Sequence, residues 1–337
     1  MVWSWRKLVH LLELMRIELM FASVSHAWMV VLLSVSVEPV ARLNRALVPG
    51  LGWGVGWGLV LGGLVGAGLT LFGVGLNDVM DVRRDRAFSP SRPIPAGRVA
   101  LPAAMVAGLA ALLLAVAASV PLGRASVLLT VAVAGAILFY NAAGRHLPAI
   151  GTLTLGAMHA VAAMIVNPGL AYLWPVWVIF SVMVASAMVV HRLEFKRPRL
   201  MAGDYAGAVG GWAFVSLVMV VWMTQRGGLG ASDGLRLWAW PLAGVAVLVA
   251  GGWWLVRQAG AGEQPRRLRR MAAGRVERWT ALGLIVIDAG WLLGTGHWLG
   301  GLLLLKLAVV AYVLRRVLEV LSDLAEPPPG YRLGSGA

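Results

Sequence analysis

Ten apolar stretches, each close to the roughly 20 residues a helix needs to cross a bilayer, run through this 337-residue chain. They centre on residues 17–37, 53–76, 102–121, 125–140, 149–166, 172–190, 206–224, 237–256, 279–295 and 298–314. A soluble fold of this length has no use for so much apolar surface, and composition agrees. Hydrophobic residues make up 59% and charged residues 13% of the chain, where soluble domains carry about 25% charged. The first run opens on Arg16 and Glu18 and is followed by no small-residue cleavage site, which excludes a cleaved signal peptide. With no cysteine, a disulfide framework, a thiolate nucleophile and a Cys-based metal site are excluded as well. The Gly-rich stretch 52–68 reads as a close-packing helix face, not a phosphate loop, because it lacks a G-K-[ST] ending. Trp53, Trp57, Trp238 and Trp240 read as interfacial anchors.

The formal charge of +14 would point to nucleic acid in a soluble protein. Here its distribution points to membrane topology. With the N-terminus in the cytoplasm and the spans alternating, 23 Lys and Arg fall on inside segments and five on outside segments, with Lys306 inside the last span. The run Arg266, Arg267, Arg269, Arg270 is then a cytoplasmic stop signal that also attracts anionic headgroups. No aromatic interleaving or recognition motif accompanies it, so nucleic acid is not expected as a partner. Residues 1–316 read as one transmembrane domain, and 317–337, ending EPPPGYRLGSGA, as a disordered cytoplasmic tail.

The densest chemistry lies at the end of the second span, LNDVMDVRRDRAFSPSRPIPAGRV, residues 76–99. On one continuous helix Asp78, Asp81 and Asp85 share an arc of about 60°, with Asn77 beside them. Like charges at this spacing destabilise an isolated helix, and a protein keeps them on one face when a cation sits there; the alternative is a polar helix end whose acids offset neighbouring arginines. Hard carboxylate oxygens suit Mg²⁺, which takes one or two carboxylates together with substrate phosphates. A ligand bound at this point has its phosphate head in water and its apolar tail in the membrane.

These residues carry a resemblance. NDVMDVRRD is similar to the N-D-x-x-D-x-x-x-D motif of the UbiA superfamily of intramembrane prenyltransferases, and SRPIPAGRV to the segment that follows it there. LMRIE (Leu14 to Glu18) resembles the family's first-helix start, and Tyr140 followed by Arg145 its Tyr and cationic residue after the fourth helix. The resemblance spans about residues 10 to 315. It implies an all-α polytopic bundle of nine or ten transmembrane helices around a central cavity open to lipid. It also implies a transferase that moves an isoprenoid chain from a polyprenyl diphosphate to an aromatic or lipid-like acceptor. Asp78, Asp81 and Asp85 would be catalytic, holding Mg²⁺, with Asn77 orienting them. Arg16, Arg92 and Arg145 would contact the diphosphate, and Tyr140 would line the substrate site.

The family's second Asp motif has no full counterpart. The matching stretch HRLEFKRPRLMAGD, residues 191–204, keeps Glu194 and the more distant Asp204 and adds Lys196 and Arg197, which would pair directly with phosphate. That departure keeps open a non-catalytic isoprenoid binder or carrier, and a transferase using a phosphosugar donor and polyprenyl phosphate. A phosphatidyl-alcohol transferase is disfavoured, since its D-G-x-x-A-R element does not occur. His26, His159 and His191 lie in or near spans and are expected to bond across helix interfaces, with contact to an acceptor as the alternative for the first two. Asp288 is expected to pair with Lys306 across the short turn between the last two spans. The membrane is taken to be a bacterial inner membrane, and the distribution of Lys and Arg puts the N-terminus and the Asp motif on its cytoplasmic side.

Overall fold

The computed structural model describes residues 5–36, 54–194, 198–228, 234–258 and 266–325. Twelve α-helices are found there: α1 Trp5–Leu14, α2 Met20–Ser36, α3 Val55–Met80, α4 Val82–Phe88, α5 Leu101–Ser119, α6 Arg124–Ala142, α7 Pro148–Met164, α8 Trp174–Leu193, α9 Ala202–Gln225, α10 Gly234–Gln258, α11 Arg266–Gly294 and α12 Trp298–Ala325. No strand occurs among the described residues. Each of the ten expected apolar segments is helical over most of its described residues, as hydrocarbon requires of a backbone that must satisfy its own N–H and C=O groups. Seven are long and apolar enough to cross a bilayer: α2 with the turn before it, α3, α5, α6, α8, α9 and α10. Of the rest, α7 is apolar but only 17 residues long. The two longest helices, α11 and α12, carry Glu277 and Asp288, and Lys306, within their length. The chain is an integral membrane protein.

Local sequence sets the helix ends. Pro102, Pro148 and Pro175 stand at the first turns of α5, α7 and α8, where the missing N–H costs nothing. Gly123, at φ 109°, makes the link into α6. The Met201 N–H donates to Asp204 Oδ2 at 2.8 Å, so Asp204 caps α9.

α2 is the hub, packed against α3, α7, α11 and α12. Two thirds of its apolar window is buried, against 11% for α9, which faces outward with side chains such as Phe214. Lipid offers no hydrophobic drive for helix association, so close approach between backbones has to supply the contact. The Gly-rich face of α3 does this, as expected. A Cβ on Gly66 would stand 2.7 Å from the Ser23 carbonyl oxygen, and one on Gly68 2.5 Å from that of Ala111. Trp28 Nε1 then donates to the Leu59 carbonyl at 2.7 Å, fixing α2 along α3.

Three expectations need correction. Trp238 is not an interfacial anchor: its ring packs edge-on against Trp174 and Trp291, with centroids 5.4 and 4.9 Å away. Trp57 and Trp240 are exposed, while Trp53 lies outside the described residues. The final helix runs on to Ala325, so residues 317–325 are helical, held where Ser322 donates to Glu13 at 2.9 Å; residues 326–337 lie outside the described residues. Asp288 does not meet Lys306, which stands exposed on α12; it binds Ser25 and His26 of α2.

Candidate active site

α3 does not continue smoothly into the charged segment. It stops at Met80, Asp81 takes φ −84° and ψ −2°, and α4 starts at Val82. The single-helix arc is therefore corrected: Asp78 sits on the last turn of α3, Asp81 at the joint and Asp85 on α4. All three are nonetheless buried, at 6%, 7% and 6% exposure.

Buried carboxylates need partners, and arginines supply them. Arg92 Nη1 lies 2.7 Å from Asp85 Oδ2 and 3.4 Å from Asp78 Oδ1. Arg145 Nη1 lies 2.7 Å from Asp81 Oδ1. Arg16 reaches Asp78 Oδ1 at 3.8 Å with one terminal nitrogen and Glu277 at 3.9 Å with the other. Asn77 Nδ2 donates to Asp78 Oδ1 at 3.3 Å, the orienting contact the resemblance implied. The three arginines expected to hold a diphosphate thus meet the three aspartates in one layer. Their side chains remain 33%, 36% and 18% exposed for Arg16, Arg92 and Arg145, leaving further guanidinium donors for a ligand.

Each arginine is held locally. Arg92 lies in the segment 89–99, which folds back on itself: the Arg92 N–H donates to the Ser89 carbonyl and the Val99 N–H to that of Pro93. Ile94 and Val99 are buried with Leu14, Val82 and Ala104 in a small core of their own. Arg145 lies in a single 3₁₀ turn between α6 and α7. Arg16, between α1 and the 3₁₀ turn leading into α2, adopts φ 43° and ψ 53°. Among the described residues it is the one non-glycine residue at positive φ, a conformation that tends to persist only where its surroundings hold it. Burial pulls its pKa down, but Asp78, Glu277, Glu18 and Glu194 together raise it above its ordinary value. Arg16 is therefore a permanent cation.

That influence brings Glu194, at the end of α8, to the same end of the bundle. Its loop is anchored where His191 Nε2 meets the Pro198 carbonyl at 2.9 Å. Lys196 and Arg197 lie outside the described residues. Tyr140 is half-buried on the main core at the end of α6, five residues before Arg145. Sequence reasoning missed Glu277; the signal was present, as one of two acids, with Glu263, among the arginines that precede the ninth apolar run.

Among the described residues no three acidic, imidazole or thiol groups stand in metal-holding geometry. The joint ligation expected of Asp78, Asp81 and Asp85 is not the arrangement found, because each carboxylate turns to an arginine. The donor chemistry still suits Mg²⁺. The contacts above use one oxygen per carboxylate, Oδ1 of Asp78 and Asp81 and Oδ2 of Asp85, and leave the second oxygen of each outside them. One or two carboxylates with phosphate oxygens and water is what this cation takes.

No family model matches the chain, and no curated protein matches its sequence. Two structures of a UbiA homolog from Archaeoglobus fulgidus align at TM-scores of 0.47 and 0.41, the second bound to GPP and Mg²⁺. Their identities are 15% and 12%, over 84% and 90% of this chain and 99% of each of theirs. A digeranylgeranylglyceryl phosphate synthase aligns with a TM-score of 0.52 and 17% identity, over 86% of this chain and 98% of that one. The helical membrane fold of that synthase is the fold of this chain.

Proposed function

We propose that the protein is a Mg²⁺-dependent intramembrane prenyltransferase of the UbiA type, moving an isoprenoid chain from a polyprenyl diphosphate to a hydrophobic aromatic or lipid-like acceptor. One observation carries this reading: three buried carboxylates and three partly open guanidiniums meet in one layer at the end of an apolar bundle. Such a layer suits an amphiphile whose anionic head stays at the end and whose tail enters the helices. The fold shared with a synthase of digeranylgeranylglyceryl phosphate supports an isoprenoid as that tail.

Charge accumulates on the diphosphate as its bond to the allylic carbon breaks, so the transition state needs cations placed beforehand. Arg16, Arg92 and Arg145 would turn from aspartate to phosphate oxygens, and the freed carboxylates of Asp78, Asp81 and Asp85 would hold Mg²⁺. Held by those carboxylates, Mg²⁺ would supply neutralising charge to the leaving oxygens. Glu194, Lys196 and Arg197 would border the same head from the α8–α9 loop. In this reading residues 1–316 form one catalytic domain in a bacterial inner membrane, with the N-terminus and the aspartate layer cytoplasmic.

The test is thermal stabilisation of the detergent-purified protein by geranylgeranyl diphosphate, with Mg²⁺ and with EDTA. A ligand of the native state raises apparent stability by mass action. The expected result is a shift that needs Mg²⁺ and is lost in Asp81→Asn. A shift that survives EDTA and Asp81→Asn would replace the transferase with a metal-independent isoprenoid binder, and the absence of any shift would remove both.

A further inference from the structure

Three helices bring a second polar group together deeper in the bundle. Ser25 and His26 on α2 and Asp288 on α11 are 0%, 1% and 0% exposed. Asp288 Oδ2 accepts from the Ser25 hydroxyl and pairs with His26 Nδ1, the latter at 2.6 Å. His159 on α7 stands edge-on to His26 with ring centroids 6.0 Å apart. Three buried atoms of this cluster have no partner: His26 Nε2, His159 Nδ1 and Asp288 Oδ1. A buried polar group without a partner keeps its desolvation cost uncompensated, a penalty that a bound O–H group would remove.

The chemistry of the vacant valences is specific. With its N–H placed on Nδ1, facing Asp288 Oδ2 at 2.6 Å, the His26 ring carries its lone pair on Nε2. His159 Nδ1 is able to donate. An O–H group, of water or of a bound ligand, donates to one nitrogen and accepts from the other. An imidazole oriented by a carboxylate, with its second nitrogen free, is also the arrangement that draws a proton from a hydroxyl nucleophile.

The cluster lies on the apolar side of the aspartate layer. On α11, Glu277 meets Arg16 and Asp288 follows eleven residues later, roughly 16 Å along the axis. On α3, Thr70 precedes Asp78 by two turns and donates to Ser23 at 2.7 Å, one turn before His26. Both routes agree on the depth. A diphosphate anchored in the layer with its tail in the bundle would direct its allylic carbon toward this cluster.

We infer that the acceptor's nucleophile is a hydroxyl and that His26, positioned by Asp288, is its general base; this rests on the transferase reading above. In the step, a bond forms between the acceptor oxygen and the allylic carbon, and the bond from that carbon to the diphosphate breaks with its electron pair. The hydroxyl proton passes to His26 Nε2, Asp288 balances the imidazolium, and the products are an ether and diphosphate. His159 holds the acceptor oxygen, and Ser25 holds the carboxylate.

The experiment uses the full chain in nanodiscs with geranylgeranyl diphosphate, Mg²⁺ and either 4-nonylphenol or 4-nonylanisole, which lacks the O–H. Products are read by mass spectrometry, and donor-induced thermal stabilisation is read separately. His26→Asn keeps an amide N–H for Asp288 but removes Nε2, so it spares a purely structural role. The wild type is expected to form the phenyl ether with nonylphenol and nothing with nonylanisole. His26→Asn should lose about 100-fold or more in rate with donor stabilisation intact, and Asp288→Asn should lower kcat at unchanged donor KM. Ether formation by His26→Asn at the wild-type rate, attachment to ring carbon, or a donor-stabilised wild type that leaves nonylphenol unmodified each overturns the inference. A wild type that geranylgeranyl diphosphate does not stabilise overturns the transferase reading instead.

Discussion

Removing the Arg145 guanidinium would strand a carboxylate inside the protein. Arg145 Nη1 is 2.7 Å from Asp81 Oδ1, and the two side chains are 18% and 9% exposed. Breaking so enclosed a pair from one side costs about 3–5 kcal/mol, because the surviving charge stays where water does not reach it. The partial opening of Arg145 places Arg145→Ala near the lower bound, about 3 kcal/mol. Adding Asp81→Asn removes the stranded charge, so the double variant should recover at least about 1 kcal/mol relative to the sum of the single losses. Reversible unfolding in mixed micelles of rising SDS fraction, followed by the fluorescence of the 16 tryptophans, gives all four free energies. Mg²⁺ adds a second readout. If the cation uses the same carboxylate, it should stabilise Arg145→Ala more than the wild type. Losses that add to within about 0.5 kcal/mol would refute the claim that this contact neutralises a buried charge.

Further outcomes can be read in the same unfolding assay. Gly66→Ala should cost about 1–3 kcal/mol, since overpacking forces backbone shifts and the new methyl would press on the Ser23 carbonyl of α2. Gly56→Ala, whose Cβ meets nothing within 4 Å, should instead gain up to about 1 kcal/mol from helix propensity. Arg16→Gly and Arg16→Ala lose the same ion pairs, but the left-handed backbone at φ 43° should leave the glycine variant more stable by about 1 kcal/mol. Glu319, at the end of α12, would be raised by burial, yet the hydrogen bonds and charges of Arg315 and Arg316 hold its pKa below the ordinary 4.5. A lowered folded pKa means this contribution is complete above pH 4.5 and is lost as pH falls through the folded value. Glu319→Gln should therefore flatten the acid limb of a stability–pH curve, and an unchanged limb would contradict the ion pairs.

The candidate site was legible in sequence to the extent that its residues are close together in sequence. Asn77, Asp78, Asp81 and Asp85 sit at helical spacing at the end of an apolar run, and that pattern is rare in a chain with so few acids. The break at Asp81 was not legible, because nothing in NDVMDVRRD differs from what a continuous helix would carry. Asp288 shows the limit most clearly. A reading along the chain pairs it with the nearest cation, Lys306, across the turn between two adjacent helices. The structure gives it Ser25 and His26, more than 260 residues away, because the bundle closes on itself and sets α11 beside α2. Which helices become neighbours depends on small residues that permit approach, such as Gly66 against Ser23, and that complementarity belongs to two helices jointly. Trp238 fails as an anchor for the same reason: its partners, Trp174 and Trp291, come from other helices.

The aspartate layer also changes what the clustered carboxylates imply. Three like charges on one face seemed to require a cation, and the protein supplies three of its own from α1's end, the segment after α4 and the α6–α7 turn. Asp78, Asp81 and Asp85 are matched by Arg16, Arg92 and Arg145, so each of the three carboxylates already has a cationic partner without any ligand. A diphosphate arriving alone would add several negative charges beside buried carboxylates, and a metal ion arriving alone would compete with guanidiniums already in contact. Bound together they nearly cancel, each taking the partners the other releases. The two should therefore bind with positive coupling, and linkage requires that the factor by which Mg²⁺ tightens the diphosphate equal the factor by which the diphosphate tightens Mg²⁺. Titrating geranylgeranyl diphosphate at several Mg²⁺ concentrations, and Mg²⁺ at several diphosphate concentrations, measures both factors. Independent binding of the two would mean that the arginines remain on the aspartates when the ligand is bound, and the exchange on which the proposed chemistry depends does not occur.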